Sequence, residues 1–306
     1  MGRLLCEFLK RVDAEGIRLH GVCVFQHNEE ADTHAYSPDM PRNIYSVSKS
    51  FLSTAIGILL EDGALKLTDR PVDFFPENLP AKIHPWYEKL ELRHLLTMTS
   101  GHPRALLHER ERGTLQEADW IRFVFSQRLV SMPGESFMYS NGSSYLAGCM
   151  AEKAAGMKLK DFLYEKAFAP MHIPYPEWEE CPMGHTFAAS RLKLKLADMI
   201  KLGVLYLHRG NYQGVQIVSG DWVDTATSFQ AASRQISAFG TGEDENFGYG
   251  YQFWLCRYPG IYRAFGRLGQ FVIVVPEKDA VIATSAQEKN EQAILDAVWD
   301  TILPAL

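Results

Sequence analysis

The residues with the clearest chemical potential are Ser46 and Lys49, three positions apart in the stretch YSVSKSF. On a helix, residues with this spacing lie on one face, so the lysine amine can reach the serine hydroxyl. An uncharged amine in that position acts as a base and turns the hydroxyl into a nucleophile for covalent catalysis. The spacing alone is weak, because S-x-x-K is expected about once by chance at ordinary residue usage. Residues 190–193 read SRLK as a second example.

The sequence context separates the two examples. After Lys49 the chain continues as the apolar run FLSTAIGILL and reaches Gly63, a residue type that favours the end of a helix. Ser46 is therefore predicted to lie at the N-terminus of a largely buried helix. Partial burial of the amine and the positive potential of a helix N-terminus both disfavour the protonated lysine. The alternative interpretation is a serine that caps the helix beside a solvated lysine.

Two later stretches carry further candidate residues. The segment MYSNGSSYL contains the triplet Tyr139-Ser140-Asn141, the only Y-x-N sequence in the chain, followed by an apolar segment typical of a helix. The segment RAFGRLGQFVIVV places Gly266 and Gly269 where a strand begins. Glycine at such a position permits the backbone to approach a ligand closely.

The elements that must position these residues follow from hydrophobic periodicity. GIRLHGVCVFQH near the start, and YGYQFWLC, GIYRAFG, GQFVIVVPE and AVIATSA near the end, are typical of strands. MGRLLCEFLKRVDAEG and NEQAILDAVWDTIL are typical of amphipathic helices. The pattern predicts a single α+β domain over 1–306, with a sheet lobe over about 1–45 and 247–306 and a mostly helical lobe over about 46–246. Segment 228–246 is predicted to be a mobile loop.

Composition excludes several classes of protein. Of the 306 residues, 37 are acidic and 31 basic, which gives a net charge of -6 without basic runs. This argues against nucleic acid or an anionic membrane as a partner. Charges interrupt the N-terminal apolar residues, and no stretch of about 18 apolar residues occurs, so we expect a cytoplasmic chain without membrane insertion.

Cofactor motifs are also absent from the sequence. The five cysteines have no spacing that suits a metal, and we expect most of them to be ordinary buried thiols. The chain has no G-x-S-x-G elbow, H-E-x-x-H zinc helix or G-x-x-x-x-G-K-[ST] phosphate loop. We therefore predict no metal and no other cofactor.

Taken together, these blocks resemble the serine β-lactamase and penicillin-binding protein superfamily, specifically the class C β-lactamase-like esterases and peptidases. YSVSKSF with the following IGILLEDGALKLTDRPVDFFPE is similar to the nucleophile helix of that family. LRHLLTMTSG is similar to its next helix and loop, PGESFMYSNGSSYLAG to its tyrosine motif, and YGYQFWL to its late strand. The resemblance covers almost the whole chain. It implies an antiparallel sheet flanked by helices, as in β-lactamases and transpeptidases.

The resemblance also implies roles for four side chains. Ser46 would be the acylated nucleophile and Lys49 its proton partner. Tyr139 would be a second base that also protonates the leaving group, with a pKa lowered by the nearby cation and helix terminus. Asn141 would hydrogen-bond the substrate and the lysine.

The third motif of the family is altered in this chain. Its K-T-G or H-x-G triplet is matched by Ala264-Phe265-Gly266, so the cation that normally faces a substrate carboxylate is missing. Carboxylate-bearing β-lactams and D-alanyl peptides are expected to bind poorly unless Arg263 or Arg267 replaces that cation. The resemblance implies that the backbone N–H groups of Ser46 and Arg267 form the oxyanion hole.

The predicted activity is therefore hydrolysis of a small-molecule ester or amide through an acyl-enzyme on Ser46. Two alternatives remain open. One is a true β-lactamase or D-alanyl-D-alanine carboxypeptidase, and the other is a non-catalytic binding or sensor homologue. The oligomeric state and the natural substrate are left open by the sequence.

Overall fold

The computed structural model of the protein describes residues 4–233 and 243–306. Much of the loop predicted over 228–246 falls in 234–242, outside the described residues. The strands are β1 Leu19–Gln26, β2 Glu29–Ala35, β3 Arg42–Asn43, β4 Glu177–Trp178, β5 Leu192–Leu194, β6 Asn211–Tyr212, β7 Val215–Gln216, β8 Trp254–Leu255, β9 Tyr262–Gly266, β10 Gln270–Val275 and β11 Ala280–Ala286. The helices are α1 Cys6–Glu15, α2 Ser48–Glu61, α3 Pro71–Phe74, α4 Leu92–Leu96, α5 Glu109–Thr114, α6 Trp120–Ser126, α7 Asn141–Ala155, α8 Leu159–Leu163, α9 Leu196–Leu207, α10 Gly220–Ala226 and α11 Glu291–Ala297.

A six-stranded sheet joins the two ends of the chain. Its strand order is β2-β1-β11-β10-β9-β8, and every neighbouring pair is antiparallel. The central pairing of β1 with β11 brings residues near both termini into direct hydrogen-bonded contact. The predicted α+β fold, with an antiparallel sheet built from both ends and flanked by helices, is confirmed.

Both faces of the central strands are buried. In β10, Phe271, Ile273 and Val275 face a core shared with α1 and α11, while Val272 and Val274 face the larger core beneath α2 and α9. Side chains that alternate between two cores explain why β1, β10 and β11 are almost continuously apolar. Helices cover the sheet on both sides, as the two amphipathic terminal segments predict.

Some strands differ from the sequence prediction. β2 has the polar sequence EEADTHA and was not predicted, because an edge strand with one solvated face lacks the apolar pattern of a buried strand. Of the predicted strand YGYQFWLC, only Trp254–Leu255 forms β8. Strands β4 and β5 of the short sheet β3-β5-β4, and the β6-β7 hairpin, lie within the segment predicted to be mostly helical, whereas β3 precedes that segment.

Helix α2 is the buried helix that the sequence predicts. A short 3-10 turn, Tyr45–Val47, precedes it, so Ser46 lies two residues before the first α-helical residue. Every residue from Ser48 to Leu59 is buried. Serine hydroxyls on the helix donate hydrogen bonds to backbone carbonyls of the segment before β8. Ser50 Oγ donates to the Gln252 carbonyl at 2.8 Å and Ser53 Oγ to the Tyr251 carbonyl at 2.7 Å, and these bonds hold the helix against that segment. The helix is therefore a rigid base for the Ser46 turn.

Gly266 allows the last residue of β9 to lie against the Ser46 turn. A Cβ atom at Gly266 would stand 2.1 Å from the carbonyl oxygen of Ile44, far inside van der Waals contact. The sequence predicted that the backbone at this glycine approaches a ligand closely. In the structure it approaches the backbone of Ile44, two residues before Ser46. It sets the distance between the sheet edge and the serine.

We predict that Gly266→Ala destabilises the protein by about 1–3 kcal/mol, because the backbone of β9 must move away from Ile44. Thermal unfolding measures this. Gly113→Ala is the matched control, since a Cβ at Gly113 meets no atom within 4 Å. Equal melting temperatures for the two variants would contradict the packing argument.

Candidate active site

The backbone around Ser46 is held in an unusual conformation. Tyr45 has a φ of +48°, a left-handed value that is uncommon for an aromatic residue. The Asn43 Oδ1 accepts a hydrogen bond from the Tyr45 N–H at 2.8 Å, and the Ser48 hydroxyl donates to the Tyr45 carbonyl at 2.6 Å. Local strain of this kind persists only where the surrounding contacts enforce it. The contacts fix the direction of the Ser46 side chain.

Lys49 is buried beneath Ser46 and makes three hydrogen bonds. Its Nζ lies 2.9 Å from Ser46 Oγ, 2.8 Å from Asn141 Oδ1 and 2.6 Å from the Ala189 carbonyl oxygen. The side-chain amide oxygen and the carbonyl can only accept, whereas a hydroxyl can accept or donate. An uncharged amine therefore gives its two hydrogens to Asn141 and Ala189 and directs its lone pair to the Ser46 hydroxyl.

The surroundings of Lys49 favour that uncharged form. The residue is only 1% exposed, and within the described residues no carboxylate pairs with its amine. Burial lowers its pKa well below the ordinary value, and the positive charge of Arg112 lowers it further. Both effects penalise the ammonium, the first through lost hydration and the second through repulsion.

Arg112 is a nearly buried cation on the short helix α5. Its guanidinium lies 4.0 Å from the centroid of the Phe187 ring, and its side chain is 7% exposed. Phe187 is two residues before Ala189, so the guanidinium is stacked on the same segment that binds the Lys49 amine. Arg112 Nη1 pairs with Glu179 at 2.5 Å, and its Nε has no hydrogen-bond partner in the described part of the chain.

Tyr139 lies in a cluster of aromatic rings beside Lys49. Its ring centroid is 5.3 Å from that of Trp254 and 6.1 Å from that of Tyr249, and the Lys49 Nζ lies 5.0 Å from the ring. Burial raises the pKa of the phenol, and contact with the Ser46 hydroxyl offsets only part of this increase. The expectation of a lowered pKa is wrong, because the apolar surroundings of the ring outweigh the nearby amine.

The Tyr139-Ser140-Asn141 triplet leads into α7: Ser140 has an extended backbone, and Asn141 is the first residue of the helix. Ser140 Oγ accepts a hydrogen bond from the Leu106 N–H at 3.0 Å, and Asn141 Nδ2 donates to the Leu107 carbonyl at 3.2 Å. The loop before α5 thus fixes the orientation of the Asn141 amide, whose oxygen faces Lys49. The structure brings Ser46, Lys49, Tyr139 and Asn141 together, as the resemblance implies.

The residues of the third motif have different surroundings. Arg263 is 1% exposed and donates to the carbonyls of Leu255 and Asp244 at 3.1 and 3.0 Å. It is a buried cation whose donors are engaged by the fold, which does not favour Arg263 as a replacement for the missing cation of the third motif. Arg267 is exposed in the turn after β9. Gly269, with a φ of +85°, packs in that turn against Ile294 of α11 rather than against the Ser46 side of the sheet.

His102 does not face the Ser46 cluster. Its Nδ1 lies 2.8 Å from Ser100 Oγ and its Nε2 lies 2.9 Å from the Tyr87 hydroxyl, inside the helical lobe. Burial lowers its pKa to about 4, so the imidazole is neutral near neutral pH. This supports a structural role. No group of three or more His, Cys, Asp or Glu side chains in the described ranges has the arrangement of a metal site.

A family model described as Beta-lactamase matches residues 8–305, almost the whole chain. The protein belongs to the beta-lactamase family. The beta-lactamase of Escherichia coli (strain K12) is 28% identical over 137 residues, covering 45% of this chain and 34% of that protein. Penicillin-binding protein 4* of Bacillus subtilis (strain 168) is 31% identical over 136 residues, covering 41% of this chain and 28% of that protein. The matches span about a third of the length of these curated relatives.

A solved structure shows the same fold for this beta-lactamase family protein. The octameric penicillin-binding protein homologue from Pyrococcus abyssi superposes with a TM-score of 0.77 at 20% identity, covering 99% of this chain and 77% of that chain. The resemblance to serine β-lactamases and penicillin-binding proteins is confirmed. None of the described helices combines the length and apolar content that crossing a membrane requires.

Two contributors to the Lys49 environment were not found from the sequence. Arg112 lies in HERERG, a charged run that is typical of a solvated helix face, and nothing in that run indicates burial. The Ala189 group is a backbone carbonyl, which no side-chain motif can identify. By contrast, Trp254, which packs against Tyr139, lies in YGYQFWL, one of the blocks on which the family resemblance is based.

We predict that the charges of Arg112 and Glu179 shift the pH dependence of ester hydrolysis in opposite directions. Arg112→Gln removes repulsion from the Lys49 ammonium, so the acid limb of kcat/KM moves to higher pH. Glu179→Gln leaves Arg112 without its ion-pair partner and moves the limb to lower pH. Profiles measured from about pH 5 to pH 9 test this.

The two variants break the same ion pair, so a purely structural effect would lower activity in both without opposite shifts. Arg112→Lys keeps the charge and should retain the wild-type limb. If the acid limb of kcat/KM lies at the same pH in wild type, Arg112→Gln and Glu179→Gln, the electrostatic role of Arg112 is contradicted.

Proposed function

We propose that the protein hydrolyses small esters or amides through an acyl-enzyme on Ser46. The observation that carries this proposal is the Lys49 amine, which is buried, has no paired carboxylate in the described residues, and lies 2.9 Å from the Ser46 hydroxyl. A buried ammonium without a carboxylate partner is costly, because no anion replaces its lost hydration, and this cost favours the uncharged amine. A neutral base beside a serine has a direct chemical use.

In the first step the Lys49 lone pair takes the Ser46 proton while Oγ attacks the substrate carbonyl carbon. The carbonyl oxygen becomes an oxyanion, for which the backbone N–H groups of Ser46 and Arg267 are the proposed donors. Collapse of this intermediate breaks the bond to the alcohol or amine. The leaving group takes a proton, and water then attacks the acyl-enzyme to release the acid and restore Ser46.

Tyr139 is proposed as the proton donor to the leaving group. Its raised pKa keeps the phenol protonated, which suits an acid better than a base. After it donates, the Lys49 ammonium formed in the first step returns a proton to it. In this scheme Lys49 is the base and Tyr139 passes the proton on. Asn141 holds the amine in place and presents its amide at the edge of the site.

Neutral substrates suit the site better than substrates with a carboxylate. Ala264 stands where the family has a cation, and Arg263 is engaged by backbone carbonyls of the fold. A bound carboxylate must exchange its hydration for donors or a cation, and without them binding is unfavourable. The true β-lactamase or D-alanyl-D-alanine carboxypeptidase alternative therefore depends on the exposed Arg267.

We expect Ser46→Ala to lower the hydrolysis of a short-chain nitrophenyl ester by several orders of magnitude. Ser190→Ala, in the second S-x-x-K, is the matched control and should retain nearly all activity. Intact-protein mass after a fluorophosphonate probe should show one adduct, lost only in Ser46→Ala. Wild-type protein without adduct or hydrolysis would favour the non-catalytic binding or sensor alternative.

We also expect neutral short esters to have a kcat/KM about tenfold or more above that of any carboxylate-bearing β-lactam, equivalent to ~1.4 kcal/mol or more. Both substrate classes are measured on wild type and on Arg267→Ala. Efficient cephalosporin turnover that collapses in Arg267→Ala would overturn this expectation and support the β-lactamase alternative.

A further inference from the structure

Two aromatic side chains of the segment before α7 pack against the same pair of rings. The centroid of the Tyr139 ring lies 5.3 Å from that of Trp254 and 6.1 Å from that of Tyr249. The Phe137 ring lies 6.0 and 5.4 Å from the same two rings. Because the two side chains are two positions apart and share both neighbours, Phe137 continues the surface that the Tyr139 ring begins.

Met98 holds the backbone of this segment in place. The Met138 N–H donates to the Met98 carbonyl at 2.7 Å, and the Ser140 N–H donates to the Met98 Sδ at 3.4 Å. Met98 is itself fully buried. These bonds lie directly beside Phe137 and Tyr139, so the fold sets the direction of the two rings.

Phe265 adds a third ring from the side of the sheet. It packs against the same buried cluster as the other two rings, and it stacks on Phe271 of β10 at 5.0 Å. The next residue, Gly266, lies against the Ile44 carbonyl, two residues before Ser46. The end of β9 therefore brings Phe265 to the edge of the site.

The rings of Phe137, Tyr139 and Phe265 form an aromatic surface that is only partly buried. Behind it, Trp254 and Tyr249 are 4% and 1% exposed and form a buried second layer. Partly exposed rings that are gathered in one place form an apolar patch, and such patches commonly mark a binding surface. An apolar part of a substrate that covers these rings gains free energy from the area removed from water.

The aromatic surface begins at the reactive groups. The Lys49 Nζ lies 5.0 Å from the centroid of the Tyr139 ring and 2.9 Å from the Ser46 Oγ. In the proposed mechanism Tyr139 protonates the leaving group, so the leaving oxygen must lie beside this phenol. The carbon atoms attached to that oxygen are then the part of the substrate next to the aromatic surface.

The charges around the aromatic surface favour a neutral occupant. The Arg263 guanidinium lies 5.9 Å from the centroid of the Trp254 ring, and Lys49 becomes an ammonium once it has taken the Ser46 proton. Both positive charges repel a cationic group. An anionic group would lose its hydration against aromatic rings, and the Arg263 donors are already engaged by backbone carbonyls. A neutral aromatic group instead packs favourably on other aromatic rings.

We propose that this aromatic surface binds an aromatic group on the alcohol side of the substrate, so that the preferred substrates are neutral esters whose leaving group carries a ring. The inference rests on the proposed function and names its substrate class. The ester C–O bond breaks, the alcohol departs with a proton from Tyr139, and the acyl group stays on Ser46. Two residues of chain span at most about 7 Å. A phenyl group joined to the ester oxygen by two carbons therefore extends along the Tyr139 ring towards Phe137.

The test compares two esters with the same atoms and the ester group reversed. Phenethyl acetate carries the ring on the alcohol, and methyl hydrocinnamate carries it on the acyl group. The ratio of their kcat/KM values is divided by the ratio of their rates of hydrolysis by free hydroxide, which removes the difference in intrinsic reactivity. We expect this corrected ratio to be about tenfold in favour of phenethyl acetate in wild type. Titration of the released acid measures both reactions.

Phe137→Ala should bring the corrected ratio close to one, because the far end of the aromatic surface is lost. Phe137→Leu keeps an apolar core side chain and should lower the ratio by less, and it serves as the second variant if Phe137→Ala does not fold. Phe74→Ala is the matched control. It removes another partly buried phenylalanine, which packs beside Phe75 in the helical lobe, and should keep the wild-type ratio.

The outcomes distinguish the two proposals. A corrected ratio of one or less in wild type, or a ratio unchanged in both Phe137 variants, overturns the leaving-group site and leaves the acyl-enzyme on Ser46 standing. A protein that hydrolyses neither ester but reacts with the fluorophosphonate probe overturns the substrate class alone. A protein that does neither overturns both proposals. A folding defect in a Phe137 variant would lower both rates and leave their ratio intact.

Discussion

The burial of one amine, that of Lys49, is the constraint on which the rest of the site depends. A lysine at this depth must either find an anion or lose its charge. The chain surrounds it with a hydroxyl, an amide oxygen and a carbonyl, none of which is anionic. These three groups come from the turn before α2, the start of α7 and the segment before β5. The packing of those elements therefore favours the uncharged form of the amine.

The close contact between β9 and the Ser46 turn follows from the same requirement. The amine and the hydroxyl must lie at hydrogen-bonding distance, and the turn that carries the hydroxyl is strained at Tyr45. Gly266 brings the sheet edge against Ile44 and leaves this turn little space to relax. Local strain is maintained by tertiary packing, as is common where reactive groups are positioned.

The sequence was informative where one physical rule dominates. Continuous apolar runs predicted β10 and β11, because strands buried on both faces admit few polar residues. β2 was missed because its outer face is solvated. The spacing of Ser46 and Lys49 predicted their contact, since both lie at one helix terminus. The sign of the Tyr139 pKa shift could not be predicted, because Trp254 and Tyr249 reach the phenol from a distant part of the chain.

The buried carboxylate of Asp244 links the Glu243–Asn246 turn to the C-terminal end of the chain. Trp299 belongs to the helical turn after α11, and its indole N–H donates to Asp244 at 3.1 Å. Gln292, at the start of α11, donates to the same oxygen at 2.7 Å. The C-terminal helix therefore holds the Glu243–Asn246 turn in place. Sequence changes in this helix, although far from Asp244 along the chain, can therefore alter the position of the turn that Asp244 belongs to.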